Sequence, residues 1–351
     1  MTKVAFAVPG NLATPTGGYA YARRMLDLLP LEGVAVGHLP LPGGYPDPSP
    51  EDLAETARLV AETTPDTVLL IDGLAYGAMP QDLIRSFERP VVALVHHPLG
   101  LETGLAPASR AALIASEAAA LARARRVIAA SATTARLLAA DFNVDAGRIT
   151  VAEPGSDPAA RAHGTGEPVE LLAVGAVSPR KGFDLLVRAL AGLGDRRWHL
   201  TLAGATDRDP AASAALTEAI QEADLSSRIT LTGALDAAAL NKLYAAADIF
   251  VSPSLFEGYG MVLTEALARG LPLVASTGGA AAETVPDAAA LKVPPGDVLA
   301  LAAAVAALID DPARRARLSD AAWAAARTLP RWTDTAARIA RVLKEIADER
   351  I

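Results

Sequence analysis

The sequence predicts two doubly wound α/β domains, each a parallel sheet covered by helices on both faces. Three observations carry this. The chain has 351 residues, more than one hydrophobic core usually serves. Short β-branched runs alternate with longer helical patterns, as in strands joined by helical crossovers. The alternation also stops once, in a stretch rich in Gly, Pro and Ala, and then starts afresh.

In the first half, "KVAFAV", "TVLLI", "VVALVH" and "RVIAAS" read as buried strands, with "GGYAYARRMLDLL" and "EDLAETARLVAET" as helices between them. After Thr150 the pattern pauses, and "EPGSDPAARAHGTGEP" (residues 153–168) reads as a linker. It resumes with "VELLAVG", "WHLTLAG", "RITLTG", "DIFVSPS" and "LPLVAS" as strands, each followed by helical sequence. The tail, "WTDTAARIARVLKEIADERI", reads as an amphipathic helix. The expected domains are residues 1–155 and 156–331. Ligands of such sheets bind beyond the carboxyl ends of the strands, so a central cleft faced by both domains is the expected site.

Composition narrows the function. Hydrophobic residues make up 51% of the chain but aromatics only 4%, so Ala, Leu and Val must supply the core. A net charge of -8 argues against a nucleic-acid partner. The chain has no cysteine, which excludes disulfides, thiolate metal sites and cysteine nucleophiles. The opening "MTKVAFAVPGNL" meets Pro and Gly too early for a signal peptide or a membrane span, so a cytoplasmic protein is expected.

Four segments carry candidate chemistry. "LFEGYGMVLTEALARG" (residues 255–270) holds Glu257 and Glu265 around a glycine turn, with a helix expected from near Gly260 to Arg269. The first amides of that helix, Met261 among them, carry partial positive charge, and Gly258 and Gly260 let a ligand approach the backbone. This suits a diphosphate. Glu265 leans back toward the same place; it could equally complement the helix dipole. A dehydrogenase fingerprint fits poorly, because Leu263 stands at the third glycine position. In "VGAVSPRKGFDLLVRAL" (residues 174–190), Arg180 and Lys181 stand at a helix start. The dipole disfavours cations there, so an anionic ligand is the better account than a solvated charge pair.

Third, "PGNLATPTGGYAYARRM" (residues 9–25) places Gly17 and Gly18 at a helix opening after the first strand. Fourth, "VVALVHHPLGLETGL" ends a buried strand on His96 and His97. Adjacent strand residues point to opposite faces, which disfavours a metal pair. Among lesser features, Ser131 reads as a helix N-cap and "DRD" at residues 207–209 as a polar loop. The arginine-rich "LARARRV" (residues 121–127) is either a solvated helix end or a peripheral contact with an anionic membrane.

The run "FEGYGMVLTEALARGLPLVAS" resembles the E-x7-E signature of family 4 retaining glycosyltransferases, which adopt the GT-B fold. The resemblance covers nearly the whole chain. It implies that Glu257 lies near the donor sugar and that Glu265 binds the nucleotide ribose. It implies that Gly258, Tyr259, Gly260 and Met261 approach the phosphates. Lys181 matches the lysine of the family's G-R-x-x-x-x-K-G loop; Ala176 stands where that loop often has arginine, and Arg180 is the candidate replacement. Gly17 and Gly18 match a loop that contacts donor phosphates and acceptor, and His96, with His97 a close second, matches a histidine that bonds the donor sugar. Gly204 and Gly233 match positions lining the base pocket. Tyr19, Tyr21 and Glu102 are acceptor-side candidates, although helix packing explains the tyrosines equally well. The implied reaction takes sugar from a UDP- or GDP-sugar to the hydroxyl of a saccharide, lipid-linked or small-molecule acceptor, with no metal and no resident cofactor. The last helix, after Trp332, is expected to return to the first domain. Two rivals are a nucleotide-sugar epimerase of the same fold and a non-catalytic nucleotide-sugar-binding protein.

Overall fold

The computed structural model describes residues 1–349. Its tertiary contacts divide the chain into two compact units, Met1–Gly155 with the chain from Pro330 on, and Ser156–Leu329.

The first unit holds β1 (Thr2–Pro9), β2 (Val34–Leu41), β3 (Val68–Asp72), β4 (Val91–Val95), β5 (Arg126–Ala129) and β6 (Ile149–Val151) in the order β2-β1-β3-β4-β5-β6. The second holds β7 (Val169–Val174), β8 (Trp198–Ala203), β9 (Ile229–Leu231), β10 (Ile249–Ser252), β11 (Leu273–Ser276) and β12 (Ala290–Val293) in the order β12-β11-β10-β7-β8-β9. Every neighbouring pair is parallel. Both sheets are Rossmann-like, as the alternation predicts.

Central strands are buried over their whole length, β3, β4 and β10 among them. Such strands carry no polar alternation, which is why they read as continuous apolar runs. Each buried Val, Leu or Ile stabilises the fold by about 1.5–3 kcal/mol relative to exposure. Three strands escape the sequence reading: β2, β6 and β12. Each lies at a sheet edge. β2 carries Gly37, His38 and Pro40 and is buried only at its two ends; proline is tolerated where one side of a strand pairs with nothing.

Residues 152–166 carry no helix or strand. The C-terminal helix, Trp332–Asp348, buries Trp332, Thr335, Ala336, Ile339, Ala340, Leu343 and Ile346, a 3.6-residue stripe. It packs on β1, β2, β3 and the helix Gly17–Leu28. The predicted tail extends to residue 351, so its last two residues lie outside the described ones. At the junction Trp332 lies edge-on to Tyr21, with ring centroids 5.6 Å apart. Gly155 is pressed against the Trp332 backbone: a Cβ there would sit 2.1 Å from the Trp332 nitrogen, so no other residue fits. Among the described residues no helix is long and apolar enough to cross a membrane.

Candidate functional site

In the second sheet β7 and β10 are neighbours, and the chain runs outward from them in opposite directions. Such a switch point leaves a crevice beyond the strand ends. The loops that follow these two strands carry Arg180–Lys181 and Glu257.

The loop after β7 tightens into a single turn, Pro179–Lys181, ended by Gly182 at φ +63°. A side chain at Gly182 would be strained, and its Cβ would lie 2.7 Å from the Pro253 carbonyl. That close approach lets the Leu255 N–H donate to the Arg180 carbonyl (2.8 Å), which joins the two loops through backbone. Glu257 is fixed from the other side: its N–H donates to the Gly278 carbonyl (3.1 Å), and its carbonyl accepts from the Ala280 N–H (2.8 Å).

Glu257 is buried, its side chain 6% exposed. Lys181 Nζ donates to Oε1 at 2.6 Å, and so does the Ser254 hydroxyl, also at 2.6 Å. Arg180 Nη1 stands 3.5 Å from Oε2 and donates to the Phe256 carbonyl at 2.9 Å. Burial alone would push the Glu257 carboxyl up. Lys181, Arg180 and the Ser254 hydroxyl outweigh it and hold the group below its ordinary value, so it is ionised at neutral pH. Breaking such a buried pair costs about 3–5 kcal/mol, because it strands a charge.

The helix after Glu257 runs Met261–Ala268, starting at Gly260 (φ +90°) with no side-chain cap. It is one residue shorter at each end than the sequence suggests. Tyr259, beside Gly258, is buried, and its carbonyl accepts from the Thr284 hydroxyl (2.8 Å). Glu265 has a partner that the sequence reading did not name: the Tyr244 hydroxyl donates to its Oε2 at 2.8 Å. Tyr244 stacks on Phe250 and lies under the Arg269 guanidinium (4.4 Å). Burial pushes the Glu265 carboxyl above its usual range, and the Tyr244 hydroxyl and Arg269 offset this only in part.

Gly204 follows β8, and its N–H donates to the Gly233 carbonyl (3.0 Å). Gly233 also lines a cavity of about 820 Å³ with Val177, Thr206, Ser213, Gln221 and Thr232. "DRD" is a polar loop, as read: Asp209 caps the helix Pro210–Glu222 by accepting from the Ala212 N–H (2.9 Å).

In the first unit, Gly17 and Gly18 open the helix Gly17–Leu28, capped by the Thr16 hydroxyl. His96 lies against Gly18, where a Cβ would come 3.6 Å from the ring. Its ring is edge-on to Tyr21 (5.0 Å), and its Nε2 stands 3.5 Å from Oδ2 of buried Asp72. Asp72 does not stand out in the sequence, because it reads as the last residue of an apolar strand. His97 faces a different acid: its Nε2 is 3.7 Å from Glu102. Tyr21 is buried and donates to the Ala152 carbonyl (2.9 Å), and Tyr19 donates to the Pro9 carbonyl (2.8 Å). Ser131 caps the helix Ala132–Asp141 by accepting from the Thr134 N–H (2.9 Å).

The loop after His97 is pinned by Glu117, a fully buried acid on the helix Pro107–Arg123. Its Oε2 accepts from the Leu99 N–H (2.8 Å), and its Oε1 has no hydrogen-bond partner. Burial pushes its pKa up to about 8. Among the described residues no group of three or more His, Asp or Glu is placed to hold a metal ion.

Two family models match the chain: "Glycosyl transferase 4-like domain" over residues 6–155 and "Glycosyl transferases group 1" over residues 168–311. A D-inositol 3-phosphate glycosyltransferase of Xylanimonas cellulosilytica is 33% identical over 227 residues, 60% of this chain and 54% of that protein. The chain thus spans about half the length of the curated relatives it matches. Sucrose-phosphate synthase from Thermosynechococcus elongatus shares the fold with a TM-score of 0.85 at 22% identity, covering 99% of this chain and 100% of that one. Anabaena HepE, solved with UDP-glucose, gives 0.76 at 18%, covering 98% and 99%. With two glycosyltransferase models on successive halves and the whole fold shared, the chain belongs to the family 4-like GT-B glycosyltransferases.

Proposed function

We propose that the protein moves a sugar from a UDP- or GDP-sugar to an acceptor hydroxyl, with retention at the anomeric carbon. One observation carries this: a buried, ionised Glu257 gripped by Lys181 and Arg180 at the switch point of the second sheet. Cations held at a helix start suit a leaving diphosphate. Support also comes from the relatives: glycosyl transfer is the activity named for the curated protein, and UDP-glucose is the ligand named for HepE.

In this reading the bond from the anomeric carbon to the diphosphate oxygen breaks, and Lys181 and Arg180 stabilise the charge left on that oxygen. The Met261 amide, at the start of its helix, assists. The acceptor oxygen bonds to the same face of the sugar, and its proton passes to the departing phosphate. Glu257 holds the donor sugar and orients the two cations; with both its oxygens facing cations it is not a nucleophile. Glu265 holds the ribose, and Gly204 and Gly233 border the base. The two cations supply charge that a metal would otherwise bring.

The test is a thermal-shift panel of UDP-, GDP- and ADP-sugars followed by turnover with the best ligand. A bound ligand raises the melting temperature by mass action. Sugar transfer that keeps the anomeric configuration supports the reading. Epimerised donor without acceptor, or binding with no turnover on any acceptor, overturns it.

A further inference from the structure

At the end of the first sheet opposite His96, a cavity of about 270 Å³ opens. It is bounded by Pro90 and the start of β4, by Arg125 before β5, and by Ile346 and Glu349 on the C-terminal helix. The length of β4, five residues, separates it from the strand ends that carry Asp72 and His96.

Four guanidinium groups line the cavity: Arg85, Arg89, Arg123 and Arg125. Two carboxylates join them: Glu88 stands 4.0 Å from Arg89, and Glu349 is paired with Arg126 at 2.9 Å; Arg85 in turn pairs with Asp82 at 3.4 Å, which leaves Arg123 and Arg125. Arg123 and Arg125 make no side-chain hydrogen bond or ion pair among the described residues. The turn that carries them is held in place, since Arg148 donates to the Leu121 (3.0 Å) and Ala124 carbonyls. Two donors at this cavity are buried and have no acceptor: the Tyr76 hydroxyl and Arg89 Nε. Tyr76 is fully buried, although Arg89 secures its own Nη2 on the Ala61 carbonyl (3.1 Å). Buried donors without acceptors are costly, and native chains seldom keep them without a reason.

Unpaired cations beside orphaned donors call for a ligand that only accepts hydrogen bonds and carries more than one negative charge. A phosphate group meets both needs, and planar guanidinium forks recognise it well. The cavity is smaller than pockets that enclose drug-sized ligands, so it suits the phosphate of a small molecule rather than a nucleotide sugar. We propose that this cavity is a second anion site, distinct from the switch-point site, in which Arg123 and Arg125 supply charge and Tyr76 and Arg89 donate to a phosphate group. It gives a role to the arginine-rich "LARARRV" segment, which the sugar-transfer reading leaves unused.

The phosphate could come from a soluble monoester or a lipid headgroup, and the test separates them. In the first arm, the full chain is melted in rising inorganic phosphate against chloride at matched ionic strength. The expected result is a melting temperature that climbs with the logarithm of phosphate concentration. The double variant Arg123→Gln/Arg125→Gln and the single variant Tyr76→Phe lose the climb, whereas Lys181→Ala keeps it. Tyr76→Phe removes an unpartnered hydroxyl, so it melts at or above the unsubstituted chain without phosphate, which separates a lost site from a lost fold. In the second arm, vesicles of phosphatidylcholine with and without phosphatidic acid are floated with the protein. Flotation that needs phosphatidic acid and both arginines, with no response to free phosphate, assigns the site to a headgroup. No response in either arm, an equal response in the double variant, or a response abolished by Lys181→Ala overturns the proposal.

Discussion

Glu257 and Glu117 are both buried glutamates, one in each unit, and their carboxyls behave in opposite ways. Glu257 meets two cations and a hydroxyl and is held below its usual pKa. Glu117 meets one backbone N–H and is pushed up to about 8. Burial is shared, so partners decide the charge. A buried acid without cations is a neutral fastener. A buried acid between two cations fixes a charged constellation, and that is what polar chemistry needs.

Lys181→Ala is expected to cut kcat by about 10³-fold, the effect of losing a principal stabiliser of a leaving anion. It should also lower the melting temperature, since Glu257 keeps the Ser254 hydroxyl but, of its two cations, the more distant Arg180 alone. Adding Glu257→Gln should restore the stability but not the turnover; a double variant that recovers activity would remove both residues from the reaction. Glu257→Gln alone is expected to cost about 10²-fold in kcat, because the neutral amide no longer holds Lys181. Steady-state kinetics with a saturating donor checks both.

Glu117→Gln tests the neutral side. Folding keeps a proton on Glu117 that the unfolded chain releases above its ordinary value of 4.5. Its contribution to stability is therefore complete below about 4.5 and is lost as pH rises toward 8. Glutamine preserves the acceptor for Leu99 and carries no charge. The variant should lose that slope and be more stable than the parent at pH 8 by up to about 4–5 kcal/mol. Urea melts across the range decide, and parallel slopes would mean that Glu117 titrates normally. The smallest effect is expected from Tyr244→Phe. Without the hydroxyl that orients Glu265, the donor KM should rise a few-fold, about 1 kcal/mol, with kcat nearly unchanged.

The fold class is legible because buried parallel strands leave continuous apolar runs, as in "TVLLI" and "VVALVH". Edge strands leave weaker traces: β2, β6 and β12 go unread, and of the four edges β9 alone shows, in "RITLTG". In the candidate site, the residue types of Lys181, Arg180 and Glu257 stand out, but their contact does not. It joins residues 76 positions apart through loops brought together by the β7–β10 crossing. Supporting groups are harder still. Asp72 hides at the end of an apolar strand, and Tyr244 sits in a helix where an aromatic ordinarily means packing. Both act through a single polar atom, whose direction only the backbone sets.

The meeting of Gly155 with the Trp332 backbone has a practical side. The first unit gives up the chain and takes it back at one point, so residues 156–329 are a continuous insert between its two parts. Such an insert can be grafted. Replacing it with the matching segment of a relative, while leaving Gly155 and the Trp332 helix untouched, should transplant donor choice without redesigning the host. The splice points are already written into the chain, one on each side of that glycine contact.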